Sequence, residues 1–199
     1  MFFHVGSPWV KYTSWVKRSA KQNKEEKQVL VNQGKSHGVL VYDNGEPVGW
    51  CQFGPREELP RIDRIRNYKP SSQEAFWRIT CFFVDKDHRG RGVVKEVLRS
   101  ALEAMRAHGV RLVEAYPIDT SKAYRKSSLY SGSLRLFEEF GFKKVSQLGK
   151  NRVIVQKALW RGPSRRASYH IGSRRSKRLL SDMLESGERH QARETRRHL

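Results

Sequence analysis

The segment VDKDHRGRGVVKEVL, residues 84–98, sets Gly90 and Gly92 among Arg89, Arg91 and Lys95, where an apolar, strand-like run gives way to helical spacing. At the start of a helix the first backbone N–H groups have no partner within the helix, and the aligned peptide dipoles add partial positive charge. Bare glycine backbone lets a ligand approach those amides, while the basic side chains offer charge-assisted hydrogen bonds. The chemistry these residues share is the binding of a phosphate or pyrophosphate. Two familiar cradles fail on position. A dinucleotide fingerprint, G-x-G-x-x-G, needs glycine where Lys95 stands. The GKS at 34–36 would need a glycine at position 29, which is Val29, and no strand precedes it.

Several elements must hold such a loop in place. AFWRITCFFV, residues 75–84, is aromatic and β-branched and long enough for a buried strand. From Gly92 to His108 apolar residues recur at Val93, Val94, Val97, Leu98, Ala101, Leu102 and Met105, which is helical spacing, and Gly109 supplies the stop. Asn44-Gly45 between two β-rich arms predicts a hairpin with strands over about 38–43 and 47–53. Residues 9–33, with Trp9 and Trp15, read as helical, broken near 19–23 and closed by Gly34. PREELPRIDRIRNYKPSSQ, with its prolines and dense charge, reads as a connecting loop with room for one helical turn. VRLVEAYP is a strand ended by Pro117, SGSLRLFEEFGF a short helix closed by Gly141, and FKKV and RVIVQKAL are two last strands. The order predicts a mixed α/β sheet with antiparallel and parallel parts. Asp85 and Asp87 are expected to cap the turn before the helix, and Trp50, Trp77, Phe82 and Phe83 to lie in the core.

A chain of 199 residues has room for one domain, residues 1–160, and an extension, 161–199. Forty Lys and Arg against twenty Asp and Glu give +20, which favours phosphates, nucleic acid or an anionic surface over cationic partners. The extension holds eleven basic and four acidic side chains, so +13 of that charge lies on residues 1–160. Within it RLLSDMLES can form a small amphipathic helix in an otherwise mobile tail. RRASYHIGSRRSKR could grip phosphates of a nucleic acid, a solvated tail being the plainer reading. Cys51 and Cys81 sit inside apolar runs as structural thiols, with spacing that argues against a zinc site or a disulfide scaffold. MFFHVGSPWVK is too short in apolar residues for a signal peptide, and no stretch reaches membrane-spanning length. The expectation is a cytoplasmic protein with no metal site.

ITCFFVDKDHRGRGVVKEVL, residues 79–98, resembles the cofactor motif of the GNAT superfamily of N-acetyltransferases: Arg or Gln, two residues, Gly, one residue, then Gly or Ala. Arg89, Gly92 and Val94 occupy those places, and Val94 departs from the small residue usual at the last. LFEEFGFKKV, 136–145, is similar to the superfamily's later helix-turn-strand segment, and the element order over 38–159 resembles that fold. GEPVGWCQFGPREELPRI together with CFFVDKDHRGRGV is similar to a bacterial subgroup of undefined substrate. The resemblance implies a mixed, splayed sheet of about six to seven strands with helices on both faces. It implies acetyl-coenzyme A as co-substrate, its pantetheine arm along Phe83 and Val84 and its pyrophosphate over Arg89, Gly90, Arg91, Gly92, Val93, Val94 and Lys95. An acetyl group would then pass to a primary amine by direct attack, assisted by a base and an acid.

In many members of that superfamily a tyrosine four residues before the Gly-Phe pair of the later helix is the acid, and here Phe137 stands there. A phenyl ring donates no proton, so Phe137 is assigned to packing against the cofactor arm. Tyr130 is the substitute acid, with Tyr116 in reserve, and Glu114 the base or the group that holds the acceptor's ammonium. A solvent-facing strand residue is the alternative reading of Glu114. With Asp119, Glu138 and Glu139 it could also gather into an acidic mouth. The acceptor is a small-molecule or peptide amine, and a homodimer is an open outcome. A second reading is a nucleic-acid-binding protein on an acyltransferase scaffold, or an enzyme acting on an amine borne by a nucleic acid.

Overall fold

A computed structural model describes residues 19–65, 68–70 and 74–159. The expected helical residues 9–18 and the RLLSDMLES segment lie outside these. Helix α1 (Ala20–Asn32) begins where the sequence suggested a break. Ser19 Oγ accepts from the Gln22 amide at 3.2 Å, and Gln22 Oε1 accepts from the Ser19 amide at 2.9 Å. This reciprocal pair satisfies two amides that a helix start leaves open. Strands β1 (His37–Asp43) and β2 (Glu46–Pro55) form the hairpin, turning at Asn44 (φ 49°) and Gly45 (φ 84°). The elements that follow are β3 (Trp77–Val84), α2 (Val93–Ala107), β4 (Leu112–Ala115), α3 (Leu134–Glu139), β5 (Lys143–Gln147) and β6 (Val153–Ala158).

The six strands form one sheet in the order β1-β2-β3-β4-β6-β5. Only β3 and β4 run parallel; the other neighbours are antiparallel. Helix α2 is the crossover between the parallel pair. It buries Val97, Leu98, Ala101, Leu102 and Met105 against Cys51, Phe53, Ile79, Val113 and Val155 of the sheet. Each such valine, leucine or methionine side chain, fully buried, contributes about 1.5–3 kcal/mol. Phe137 of α3 joins the same core. Gly49, one pleat along β2 from Cys51, lets α2 come close: a Cβ there would lie 2.6 Å from Val97 Cγ2 and 2.9 Å from Val93 Cγ1.

The opposite face carries α1 and the segment between β2 and β3. Lys27 of α1 is buried, hydrogen-bonds Ser36 and lies 5.7 Å from the Trp50 ring centre. Burial pushes its ammonium pKa down to about 8. The proline-rich segment, expected to be a connecting loop with room for one helical turn, has two 3-10 turns among its described residues, Arg56–Glu58 and Ile62–Arg64, and buries Leu59, Ile62 and Tyr68. Ile62 and Tyr68 pack with Tyr116, Leu148 and Ile154 in a second, smaller core. Trp50 and Phe82 are buried as expected; Trp77 and Phe83 are only half-buried.

Candidate active site

The parallel pairing of β3 with β4 is short. It covers Trp77↔Val113, Arg78↔Glu114 and Ile79↔Ala115, after which β4 ends while β3 runs on to Val84. Past Ile79 the edge of β3 that faced β4 has no strand partner, and the two chains splay into a fork. The 3-10 turn Lys126–Ser131 and Gly132 lie across it: a Cβ on Gly132 would meet Phe137 at 2.8 Å and Phe82 of β3 at 3.3 Å. Ser133 then bridges to Ile118, just beyond β4.

At the far end of β3 the chain turns through Lys86–His88 into the glycine-arginine loop. Asp85 caps this turn, its Oδ1 accepting from the Asp87 amide at 3.0 Å, whereas Asp87 itself is exposed with only a long 3.9 Å contact to Lys86. Gly90 (φ 78°) and Gly92 (φ 80°) both adopt the left-handed conformation that favours glycine, and no atom lies within 4 Å of where either Cβ would sit. Gly92 is the N-cap of α2, its carbonyl accepting from Lys95 at 2.9 Å and Glu96 at 3.4 Å. The Val93 and Val94 amides precede those bonds and are the open donors of the helix start. Open space over two glycines, ahead of two such amides, fits a pyrophosphate. Val94, where a small residue was expected, is accommodated by turning toward the core together with Val93. Arg89 and Lys95 already have partners: Arg89 Nε donates to Val84 O at 3.1 Å, and Lys95 Nζ lies 2.6 Å from Glu139. Arg91 is exposed.

Glu114 does not face solvent. It is fully buried, and its Oε1 accepts from Tyr116 Oη at 2.5 Å and Tyr68 Oη at 2.7 Å, with Gln156 Nε2 at 3.4 Å from Oε2. Arg78, its neighbour across the β3–β4 ladder, is also fully buried, donating to Tyr68 Oη, Asp63 and the Leu59 carbonyl. Burial, with the bonds to Glu114, raises both tyrosines, Tyr68 to about 12 and Tyr116 well above its ordinary value. Both hydroxyls therefore stay protonated donors at neutral pH. Thr80 Oγ1 and Gln52 Oε1, on β3 and β2, are buried with no hydrogen-bond partner, so this polar floor keeps capacity for another group.

Tyr130 is half-buried near the end of the 3-10 turn, four residues before α3 begins at Leu134, with the Arg152 guanidinium 3.4 Å from its hydroxyl and 5.7 Å from its ring centre. Phe137 is fully buried, edge-on to Phe142 and Phe82. No acidic mouth forms from the expected carboxylates. Glu114 is buried, Asp119 is bonded to Ser121 at 2.6 Å, and Glu139 pairs with Lys95 and Arg135. Among the described residues no cluster of His, Cys, Asp or Glu could hold a metal ion, and no helix is long and apolar enough to cross a membrane.

Sequence reading missed Gly49, Tyr68, Arg78 and Arg152. A signal existed for Arg78, a lone charge inside an apolar strand, which implies a buried partner. Tyr68 and Arg152 carry none, because their partners come from segments 46 and 22 residues away.

Similarity to known proteins bears on this geometry. No curated protein matches the chain. Many solved structures resemble it in fold. A GNAT-family protein from Bordetella pertussis aligns at 20% identity and TM-score 0.48 over 72% of this chain and 80% of its own. A ribosomal-protein-alanine N-acetyltransferase from Brucella melitensis aligns at 18% and 0.45 over 69% and 78%, and a GNAT-family protein from Desulfovibrio desulfuricans at 16% and 0.45 over 73% and 86%. The assignment itself comes from a family model, Acetyltransferase (GNAT) family, which matches residues 7–142 and so spans the glycine-arginine loop, the fork and α3. With that match covering more than half of its length, the chain belongs to the GNAT acetyltransferase family, whose reaction is acyl transfer from acetyl-coenzyme A.

Proposed function

We propose that the protein transfers acetyl from acetyl-coenzyme A to a primary amine, which attacks the thioester directly. The observation that supports this reading is the fork beyond Ile79 joined by one free strand edge to the glycine loop at the start of α2. Phe83 and Val84 would lie along the pantetheine arm. Arg89, Gly90, Arg91, Gly92, Val93, Val94 and Lys95 would hold the pyrophosphate, Arg89 and Lys95 exchanging their present partners for phosphate oxygens. Phe137 supports this arrangement by packing behind Phe82.

Tyr130 donates the proton that the departing thiolate takes up, and Arg152 beside its oxygen offsets the charge then left on the phenol. Glu114 acts through a hydroxyl. Tyr116, the first residue past the paired part of β4, accepts the proton released by the amine as its own moves to Glu114 Oε1. Tyr68 and Gln156 orient the carboxylate for that transfer.

Acetyl-coenzyme A at a hundred times its dissociation constant should stabilise the protein by about 2.7 kcal/mol in a thermal titration. Absence of any stabilisation would sink the reading. A thioester-consumption screen over amino acids, peptide N-termini and small amines, run with Tyr130→Phe and Glu114→Gln, then tests the roles. Each change should lower kcat at least tenfold, with KM for acetyl-coenzyme A moved far less. Full turnover in both variants would remove the acid and base assignments while leaving the transferase.

A further inference from the structure

Beyond the fork, the chain after β4 and the β5–β6 hairpin are tied together. The Asp119 amide donates to Asn151 O at 2.8 Å, Asn151 Nδ2 donates to Ala123 O at 3.1 Å, and Ile118 bridges to Arg152. These bonds bring the loop 119–125 and the hairpin tip onto one rim. The rim carries Lys122, Arg125, Lys150 and Arg152, and Lys144 on β5 lies close enough to act on the Asp119 carboxyl.

Most ion pairs of the described residues lie elsewhere. Arg56 and Arg78 share Asp63, Arg99 pairs with Glu96, and Lys95 and Arg135 share Glu139. Among the described residues of the rim, Lys122 is the one in ion-pair distance of a carboxylate, Asp119 at 3.9 Å. Among the described residues the Arg152 guanidinium contacts Tyr130, through ring and hydroxyl, and has no carboxylate within ion-pair distance, so it brings a cation to the edge of the fork. Tyr124, in the same loop, exposes 40% of its surface, an aromatic face available for stacking. A small anionic acceptor would need one cation. Cations spread over a loop, a hairpin tip and an edge strand, with an exposed ring among them, match a chain of phosphates carrying bases.

We propose that this rim binds single-stranded nucleic acid and that the acceptor amine is borne on that strand. Backbone phosphates lie over Arg125, Lys144, Lys150 and Arg152, a base stacks on Tyr124, and the amine enters the fork beside Tyr130. This rests on the acetyl-transfer reading for its chemistry but not for its binding.

The binding arm uses the full chain and a labelled single-stranded RNA oligonucleotide followed by fluorescence anisotropy across a salt series. Each lost phosphate contact lowers the log–log salt slope by about 0.7, so replacing the four cations with Gln should lower it by about 3. At 50 mM salt the affinity should fall by well over tenfold. A second variant removes equal charge at the exposed Lys21, Lys35, Arg106 and Arg111, and should keep the wild-type slope within about 1. It also controls for the basic extension, which both variants retain. Equal losses in the two variants, or no binding by the wild type at low salt, would overturn the surface.

The acceptor arm compares the same oligonucleotide carrying a 3′-aminoalkyl group with the free aminoalkyl alcohol. The strand-borne amine should have the higher kcat/KM, an advantage that shrinks in the rim variant and in high salt. Equal kcat/KM for the two amines overturns the acceptor claim. If neither amine is acetylated and acetyl-coenzyme A gives no thermal shift, the transferase reading has failed, and the anisotropy still decides the surface.

Discussion

Glu114 shows how far a residue's type can mislead about its setting. A carboxylate in a short strand reads as an exposed or cleft-facing acid, yet here it is sealed between two tyrosines, a glutamine and, one strand over, a buried arginine. Nothing near Glu114 in the sequence announces Tyr68, because only the return of the proline-rich segment across the sheet brings that hydroxyl to it. The setting has a measurable pH signature. Burial and the bond to Glu114 raise the Tyr68 pKa from about 10 in an unfolded chain to about 12 in the fold. Between those values the folded state binds more protons than the unfolded one, so stability is full below pH 10 and falls as pH rises toward 12. The loss from Tyr68 alone is of order 2 kcal/mol, and Tyr116 adds to it in the same direction. Urea unfolding at pH 9, 10 and 11 should show a steep decline in the wild type and a shallower one in Tyr68→Phe. Parallel declines would mean that the Tyr68 hydroxyl is not held as its contacts imply.

At the level of elements, local chemistry makes the order readable. Asn44-Gly45 takes the two left-handed conformations a tight hairpin needs, and α2 repeats its apolar residues at a spacing that buries one face. What spacing does not reveal is where α2 sits along β2, which depends on Gly49. Gly49 pairs with Val84, the last residue of β3, so the same contact that seats the helix also sets the height of the glycine loop. Gly49→Ala places a methyl inside the radii of Val93 and Val97, and both are backed by neighbours with little room to move. The change should cost about 1–3 kcal/mol in urea unfolding. It should also weaken acetyl-coenzyme A binding severalfold, since Val93 and Val94 supply the open amides. Lost stability with unchanged cofactor affinity would show that the loop is set independently of β2. The fork was implied by family resemblance rather than read from the residues, because a strand that stops pairing after three residues leaves no mark in its own sequence.

The whole molecule is governed by its charge. At +20 the chain repels itself in the folded state, and added salt should relieve that repulsion, raising Tm between 10 and 150 mM sodium chloride. Screening of this kind depends on ionic strength and is indifferent to which anion supplies it. A built anion site is not indifferent. If the space above Gly90 and Gly92 receives a pyrophosphate, millimolar inorganic pyrophosphate should raise Tm beyond sodium chloride of equal ionic strength, by the mass-action stabilisation of a bound ligand. Gly92→Val separates the two effects. A β-branched side chain at φ 80° is strained and fills that space, so the variant should start less stable by about 1–2 kcal/mol. It should keep the sodium chloride response, which belongs to the net charge, and lose the extra rise with pyrophosphate, which belongs to the loop. Retention of the extra rise would place the anion elsewhere on this basic surface, the rim beside Arg152 being the next place to look, and the rim variant would then be the one to abolish it.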